Sequence, residues 1–107
     1  MKKISDYLPP EEILAQLGEE ASELAQAALK LRRALDGTNP TPKSVEECKT
    51  ALCEEYADVI VCADALDEIL TDKYFFGVYD VFKMKYNRWL TRLEEKEAEK
   101  QRASKEV

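Results

Sequence analysis

Two long segments of the chain repeat apolar residues at steps of three and four, which is the spacing of one buried face of an α-helix. The first apolar stripe consists of Ile13, Leu17, Glu20, Leu24, Ala28, Leu31 and Leu35. The second consists of Cys48, Leu52, Glu55, Val59, Cys62, Leu66 and Leu70. Stripes of this length predict an all-α fold that contains two long helices.

Each apolar stripe is interrupted near its centre by a glutamate, where the pattern calls for a leucine. The two residues are Glu20 and Glu55, and a second acid follows each of them three positions later, at Glu23 and Asp58. A charged group at a core position costs several kcal/mol unless it is paired or bound to a metal. Because acids make up 22 of the 107 residues, their position on the stripes, rather than their number, indicates a site.

The ends of the two long helices carry recognisable signals. The first helix is predicted over residues 10–35, with prolines and acids at its start and Gly37 as its C-terminal stop. Ser44 and Glu47 form a capping-box pattern, which predicts a second helix from there to about Leu70. Helices of equal length with a short link favour an antiparallel hairpin. The centres of the two helices then face each other, so the four acids are expected to converge.

Gly18 lies inside the first predicted helix, beside the acids. A glycine in the middle of a helix costs up to about 1 kcal/mol. Two interpretations stay open: another backbone or a ligand approaches closely at this position, or the glycine is merely tolerated.

A third helix is predicted from Val78 to beyond Leu93. The aromatic run Tyr74-Phe75-Phe76 is interpreted as a packing hinge before it, residues 1–8 as a lead-in, and residues 94–107 as a charged, fraying helical tail. The length supports a single domain, residues 1–107, with one modest core. Because two long helices and a short one make a thin core, oligomerisation with a second hairpin is expected to complete a four-helix bundle.

Composition excludes several classes of protein. No window approaches the roughly 18 apolar residues of a membrane span, and the N-terminus lacks the apolar core of a secretion signal. The net charge of −6 argues against a nucleic-acid backbone as the main partner. Cys48, Cys53 and Cys62 are an odd set without C-x-x-C spacing. Cys48 and Cys62 lie on the apolar stripe, which is typical of small core residues in a reducing cytoplasm. We therefore expect a cytoplasmic protein with neither a membrane nor a nucleic-acid partner.

The chemistry of the four acids favours a hard metal ion. The chain has no histidine, so a metal must be held by oxygen, which favours Mg²⁺, Mn²⁺ or Ca²⁺. Carboxylates gathered in a cleft raise each other's pKa values, and one or two divalent cations would relieve this. Mg²⁺ commonly binds protein carboxylates and substrate phosphates together, and it can polarise a phosphoryl group or activate a water.

Neighbouring acids admit more than one interpretation. Glu19 is a candidate general base for a metal-bound water, and the alternative is a solvated surface acid. Glu54 with Asp58 would form a pair in another register, but Glu54 lies off the apolar stripe and is interpreted as a surface residue. The alternative to a metal site is salt bridging of the four acids to cations of the third helix.

The third helix carries candidate substrate ligands. Lys83 and Asn87 are one turn apart, with Arg88 beside them, and this set is suited to phosphate oxygens and to a sugar or base edge. A solvated helix face is the alternative. Tyr86 and Trp89 are suited to stacking on a base, although core packing is favoured for Trp89.

Two acidic motifs resemble those of the all-α NTP pyrophosphohydrolases, the MazG-like family, which is related to dimeric dUTPases and phosphoribosyl-ATP pyrophosphatases. The motifs read Glu19-Glu20-Ala-Ser-Glu23-Leu24 and Glu55-Tyr-Ala-Asp58-Val59, and the resemblance covers roughly residues 10–90. The stretch from Lys83 to Arg88 also resembles the family, less specifically. The interval between the two motifs is long for the simpler members.

The resemblance implies both an activity and the roles of the acids. Glu20, Glu23, Glu55 and Asp58 would bind Mg²⁺, and Glu19 is the candidate base. The reaction would split a (d)NTP into the monophosphate and pyrophosphate, as nucleotide-pool house-cleaning by a homodimer or homotetramer. The alternatives are a phosphoribosyl-ATP pyrophosphatase and a non-catalytic helical interaction module.

Overall fold

The computed structural model describes residues 1–38, 43–70 and 77–106, which form one short 3-10 turn and three α-helices. The turn is Ile4–Asp6, and the helices are α1 (Pro10–Asp36), α2 (Val45–Ile69) and α3 (Val78–Glu106). These residues contain no strand, so the all-α prediction is confirmed. None of the helices described is long and apolar enough to cross a membrane.

The residues predicted to cap the two long helices form the expected backbone and side-chain hydrogen bonds. Ser44 caps α2: the Glu47 N–H donates to Ser44 Oγ at 3.1 Å, and the Ser44 N–H donates to Glu47 Oε1 at 3.2 Å. Gly37 ends α1 in the left-handed conformation with φ 68°, and its N–H donates to the Arg33 carbonyl at 2.9 Å. Both predicted caps are therefore confirmed.

Helices α1 and α2 pack against each other as an antiparallel hairpin. Ile13, near the start of α1, shares an apolar cavity with Ala65, near the end of α2. Ala27, in the second half of α1, shares a groove with Cys48 in the first turn of α2. The hydroxyl of Ser5 donates to Glu68 Oε1 at 3.3 Å and ties the 3-10 turn to the end of α2.

The core of this hairpin is thin. In the described ranges the buried residues, all of them small except the first, are Ile13, Ala27, Cys48, Cys62 and Ala65. Ala27 is buried in place of Ala28, and Leu35 is 64% exposed, so the predicted stripe is wrong at these two positions. Ile13, Glu20 and Ala27 lie seven residues apart, so the side of α1 that packs on α2 keeps the 3.5-residue period of a coiled-coil seam. The predicted stripe instead takes two successive steps of four residues to reach Ala28.

Gly18 has open space beside it. A Cβ atom built on this glycine would meet no atom within 4 Å. Among the described residues, no neighbouring backbone therefore approaches Gly18, and the approach of a ligand and a tolerated glycine stay the two open interpretations.

The chain divides into two units, Met1–Asp72 and Lys73–Val107, and the second consists of α3 among its described residues. Helix α3 continues to Glu106, so the segment predicted to be a charged helical tail is helical to that residue. Trp89, for which core packing was favoured, is 66% exposed. The predicted hinge at residues 74–76 lies outside the described residues.

Candidate metal centre

Three carboxylates meet halfway along the hairpin. Glu20 and Glu23 lie one turn apart on α1, and Glu55 faces them from α2; one oxygen from each lies within 4.8 Å of the others. The spacing of three residues keeps the first two on one helix face, and the antiparallel packing brings the third across. The convergence expected from the two stripes therefore occurs for these three acids.

Two oxygens of this cluster lack a partner. Glu20 Oε2 and Glu55 Oε2 are buried, and neither atom has a hydrogen-bond partner among the residues described. Buried polar atoms are nearly always hydrogen-bonded, and an exception in a native structure calls for an explanation such as a missing ion. An all-oxygen donor set with two partnerless oxygens fits a hard divalent cation.

The pKa of Glu20 is raised above its usual 4.5, first by burial and then by the negative charges of Glu23 and Asp58. A hydrogen bond opposes this shift: Gln16 Nε2 donates to Glu20 Oε1 at 2.7 Å. Gln16 therefore stabilises the ionised form of Glu20 and fixes the orientation of its carboxylate.

The pKa of Glu23 is also raised, first by a hydrogen bond with the Glu55 carboxyl group, then by the charge of Glu55, and then by burial. The charge of Glu19 adds to this shift. Two carboxyl groups that face each other at this distance share a proton more readily than they both ionise. A divalent cation between them would take the place of that proton.

Asp58 lies beside the cluster but does not belong to the three-carboxylate group. Its side chain is exposed, yet its charge raises the pKa of Glu20 and of the buried Cys62 thiol. The first cause of the shift at Cys62 is burial, followed by the charge of Glu20. The four predicted acids therefore occupy one neighbourhood, with three in ligand geometry and Asp58 at its edge.

Glu19 and Glu54 are both exposed, one residue before Glu20 and Glu55 respectively. Neither belongs to the carboxylate group, so the register that pairs Glu54 with Asp58 is not the one that gathers acids here. Glu19 is close enough to raise the pKa of Glu23, which keeps it beside the centre.

Salt bridges do not account for the cluster within the residues described. The ion pairs there are Arg32–Asp36 at 3.8 Å and Lys49–Glu46 at 3.5 Å, and both lie within single helices. Neither pair includes Glu20, Glu23 or Glu55.

The predicted substrate ligands Lys83, Asn87 and Arg88 lie on α3 and are exposed. The Nζ atom of Lys83 sits 4.6 Å from the centre of the Tyr79 ring, a cation–π contact. Since α3 belongs to the second unit, the approach of these residues to the carboxylates stays a prediction.

Sequence reasoning missed two features of the centre. One is Gln16, which lies four residues before Glu20; that spacing makes the two side chains neighbours on a helix and could have predicted their hydrogen bond. The other is a groove of about 320 Å³ that starts at the cluster and continues between the helices; it is lined by Glu23, Gln26, Ala27, Lys30, Lys43, Cys48, Ala51 and Glu55. The sequence gives no signal that Lys43, which precedes the α2 cap, reaches this groove.

No protein-family model, no curated protein and no solved structure matches the chain. Function is therefore inferred from the geometry of the carboxylates and their surroundings.

Proposed function

We propose that this chain is a Mg²⁺-dependent nucleoside triphosphate pyrophosphohydrolase of the MazG-like kind. It would cleave a (d)NTP to the monophosphate and pyrophosphate, and so remove unwanted nucleotides from the cytoplasmic pool. The observation that carries the proposal is the carboxylate group of Glu20, Glu23 and Glu55, which spans two helices and buries two oxygens without partners. Mn²⁺ would serve in place of Mg²⁺ because it accepts the same oxygen ligands.

The proposal gives each acid near the cluster a role. Glu20, Glu23 and Glu55 would hold the cation, and Asp58 would join them from the edge of the site. When bound, Mg²⁺ supplies charge neutralisation on the phosphates and lowers the pKa of a coordinated water. Gln16 keeps Glu20 oriented through its 2.7 Å hydrogen bond.

Proton transfer and substrate binding fall to residues outside the ligand set. Glu19, exposed and beside Glu23, would accept the proton of the attacking water on its carboxylate. Lys83 and Arg88 would bind phosphate oxygens as charged donors, and Asn87 would hydrogen-bond to the sugar or base.

The proposal includes assembly into a homodimer or homotetramer. No large side chain in the described part of the chain is fully buried, and several on the hairpin stay largely exposed, among them Leu14, Tyr56, Ile60 and Val61. Exposed apolar patches of this kind mark association surfaces. Light scattering on the purified protein is expected to give the mass of two or four chains.

The test is a panel of (d)NTPs incubated with Mg²⁺, with the monophosphate product measured. We expect turnover of at least one nucleotide, loss of turnover in Glu20→Gln and Asp58→Asn, and retention in Glu54→Gln. The last variant is a matched control because Glu54 adjoins Glu55, is exposed, and lies outside the cluster. Absence of turnover across the whole panel would refute the proposal, and phosphoribosyl-ATP belongs in the panel as the alternative substrate.

The exposed apolar side chains also favour a second candidate, a non-catalytic helical interaction module. In that case the acids would pair with a basic partner, and Mg²⁺ would leave the melting temperature unchanged. A melting temperature that rises with Mg²⁺ would therefore separate the two functions.

A further inference from the structure

The groove beside the carboxylates changes its charge along its length. At one end it is lined by Glu23 and Glu55, and at the other by Lys30 and Lys43. Lys30 lies seven residues after Glu23 on α1, which corresponds to about 10 Å along the helix axis. A molecule in this groove therefore meets acids at one end and cations about two helical turns away.

Lys30 has no carboxylate partner on its own helix. The positions three and four residues away, where a carboxylate would pair with it, are Gln26, Ala27, Arg33 and Ala34. Across the described ranges, Lys30 forms no ion pair with any acid. Its ammonium group is therefore available to a ligand in the groove.

Lys43 approaches the same groove from the residue before the α2 cap. Its positive charge helps to lower the pKa of Glu47, although the hydrogen bonds of Glu47 with Ser44 contribute more to that shift. Gln26, one turn before Lys30, adds an amide to the same stretch of the lining. Lysine ammonium and glutamine amide groups are donors suited to phosphate oxygens.

We propose that Lys30 and Lys43 bind a phosphoryl group of the substrate beyond the phosphates held by the carboxylate centre, with Gln26 donating to the same group. This inference rests on the proposed function, and it defines the substrate class as one with more negative charge than a pyrophosphate unit. The phosphoryl group has two possible sources. It is either the terminal phosphate of the polyphosphate chain or a separate phosphate on the far side of the nucleoside.

The experiment measures the binding of inorganic pyrophosphate and inorganic tripolyphosphate, each with Mg²⁺, by calorimetry. The proteins are the wild type, Lys30→Gln, Lys43→Gln and Lys49→Gln. Lys49 is the matched control because it is a lysine of the same hairpin, pairs with Glu46 at 3.5 Å, and does not line the groove. Since hydrogen bonds to charged groups are stronger than those between neutral groups, we expect tripolyphosphate binding to weaken about tenfold or more in the two groove variants.

The expected pattern is specific to the groove. Pyrophosphate binding and the binding of Mg²⁺ alone stay at the wild-type level in all variants, and Lys30→Arg retains tripolyphosphate binding. If the groove variants weaken only the binding of phosphoribosyl-ATP, which carries a phosphate remote from its triphosphate, the second source is supported. Equal affinities of wild type and groove variants for pyrophosphate, tripolyphosphate and phosphoribosyl-ATP would overturn the inference, as would absence of binding of all three to the wild type.

Failure of the groove assignment and failure of the enzyme proposal give different results. Weakened tripolyphosphate binding in a protein that turns over no nucleotide would retain the groove assignment and reject the enzyme. Turnover with an unchanged KM in Lys30→Gln and Lys43→Gln would retain the enzyme and reject the groove assignment.

Discussion

Glu20 on α1 and Glu55 on α2 face each other across the hairpin, and each buries its Oε2 atom without a hydrogen-bond partner in the part of the chain described. A buried acceptor without a hydrogen-bond partner is unfavourable, and more so when it is charged. The hairpin core is thin, so little apolar packing is present to offset that effect. A bound divalent cation would supply both missing partners at once.

The first prediction concerns metal binding. A cation that binds the folded state raises stability by RT ln(1 + [L]/Kd), which is about 2.7 kcal/mol at 100 times the Kd. We therefore expect the melting temperature to rise with Mg²⁺ concentration in the wild type and not in Glu20→Gln or Glu55→Gln. Differential scanning fluorimetry in EDTA and in a Mg²⁺ series measures this shift.

Glu54→Gln serves as the control for that series, because it removes the same charge one residue away and outside the carboxylate group. Its response to Mg²⁺ should match that of the wild type. An equal loss of response in Glu54→Gln would mean that Mg²⁺ merely screens the overall charge of −6.

The second prediction concerns pH in the absence of metal. The pKa values of Glu20 and Glu23 are raised above the usual 4.5, so the folded state binds their protons more tightly than the unfolded state. The unfolding free energy therefore falls as the pH rises through the window that starts at about 4.5 and ends above the raised values. Urea unfolding in EDTA at several pH values should show this decrease.

Glu23→Gln should flatten the decrease, and saturating Mg²⁺ should flatten it in the wild type. Asp36 and Glu47 change the unfolding free energy with pH in the opposite direction. Their pKa values are lowered by hydrogen bonds from Thr38 and Ser44 respectively. Their stabilisation is lost at lower pH, as the pH falls through those lowered values. A stability that rises steadily between pH 5 and neutrality in EDTA would contradict the prediction.

The third prediction concerns the cap of α2. Removal of the Ser44 hydroxyl in Ser44→Ala deletes the 3.1 Å acceptor of the Glu47 N–H, so we expect a loss of about 1 kcal/mol in unfolding free energy. Ser44→Asp keeps an acceptor at this position and should stay near the wild type. Urea denaturation measures both, and a cost for Ser44→Asp equal to that of Ser44→Ala would argue against capping.

The fold and the cluster differ in how far the sequence determines them. The 3.6-residue period and the capping residues act locally, which is why the bounds of α1 and α2 could be predicted from the sequence. The meeting of Glu20 with Glu55 followed from one further step, the antiparallel packing of helices of equal length. Asp58 shows the limit of this reasoning, because a three-residue step places it on the right face and does not decide whether its carboxylate turns inward.

Other features depend on packing that no local pattern encodes. Lys43 lines the groove from the residue before the α2 cap, and Ala27 is buried instead of Ala28 because the packed side of α1 keeps a seven-residue spacing. The aromatic residues of α3 follow a periodic pattern, but this pattern does not predict which surface packs against them. The roles predicted for Lys83, Asn87 and Arg88 depend on that surface.

The fourth prediction concerns Gln16, which donates to Glu20 Oε1 at 2.7 Å. This hydrogen bond lowers the pKa of Glu20 against the effects of burial and of neighbouring charges. Without it, Glu20 would hold a proton more tightly and its carboxylate would be less fixed. Supporting residues of this kind typically change metal affinity by about 10–100-fold, so we expect Gln16→Ala to weaken Mg²⁺ binding by roughly that factor in calorimetry.

Two further variants separate orientation from loss of packing. Gln16→Glu keeps the size of the side chain but puts a carboxylate against Glu20, so it should weaken Mg²⁺ binding at neutral pH at least as much as Gln16→Ala. Ser22→Ala, a change at another exposed position of α1, should leave the affinity unchanged. If Gln16→Ala binds Mg²⁺ as tightly as Ser22→Ala, the hydrogen bond does not position the ligand, and Glu20 is held by its contacts with Glu23 and Glu55 alone.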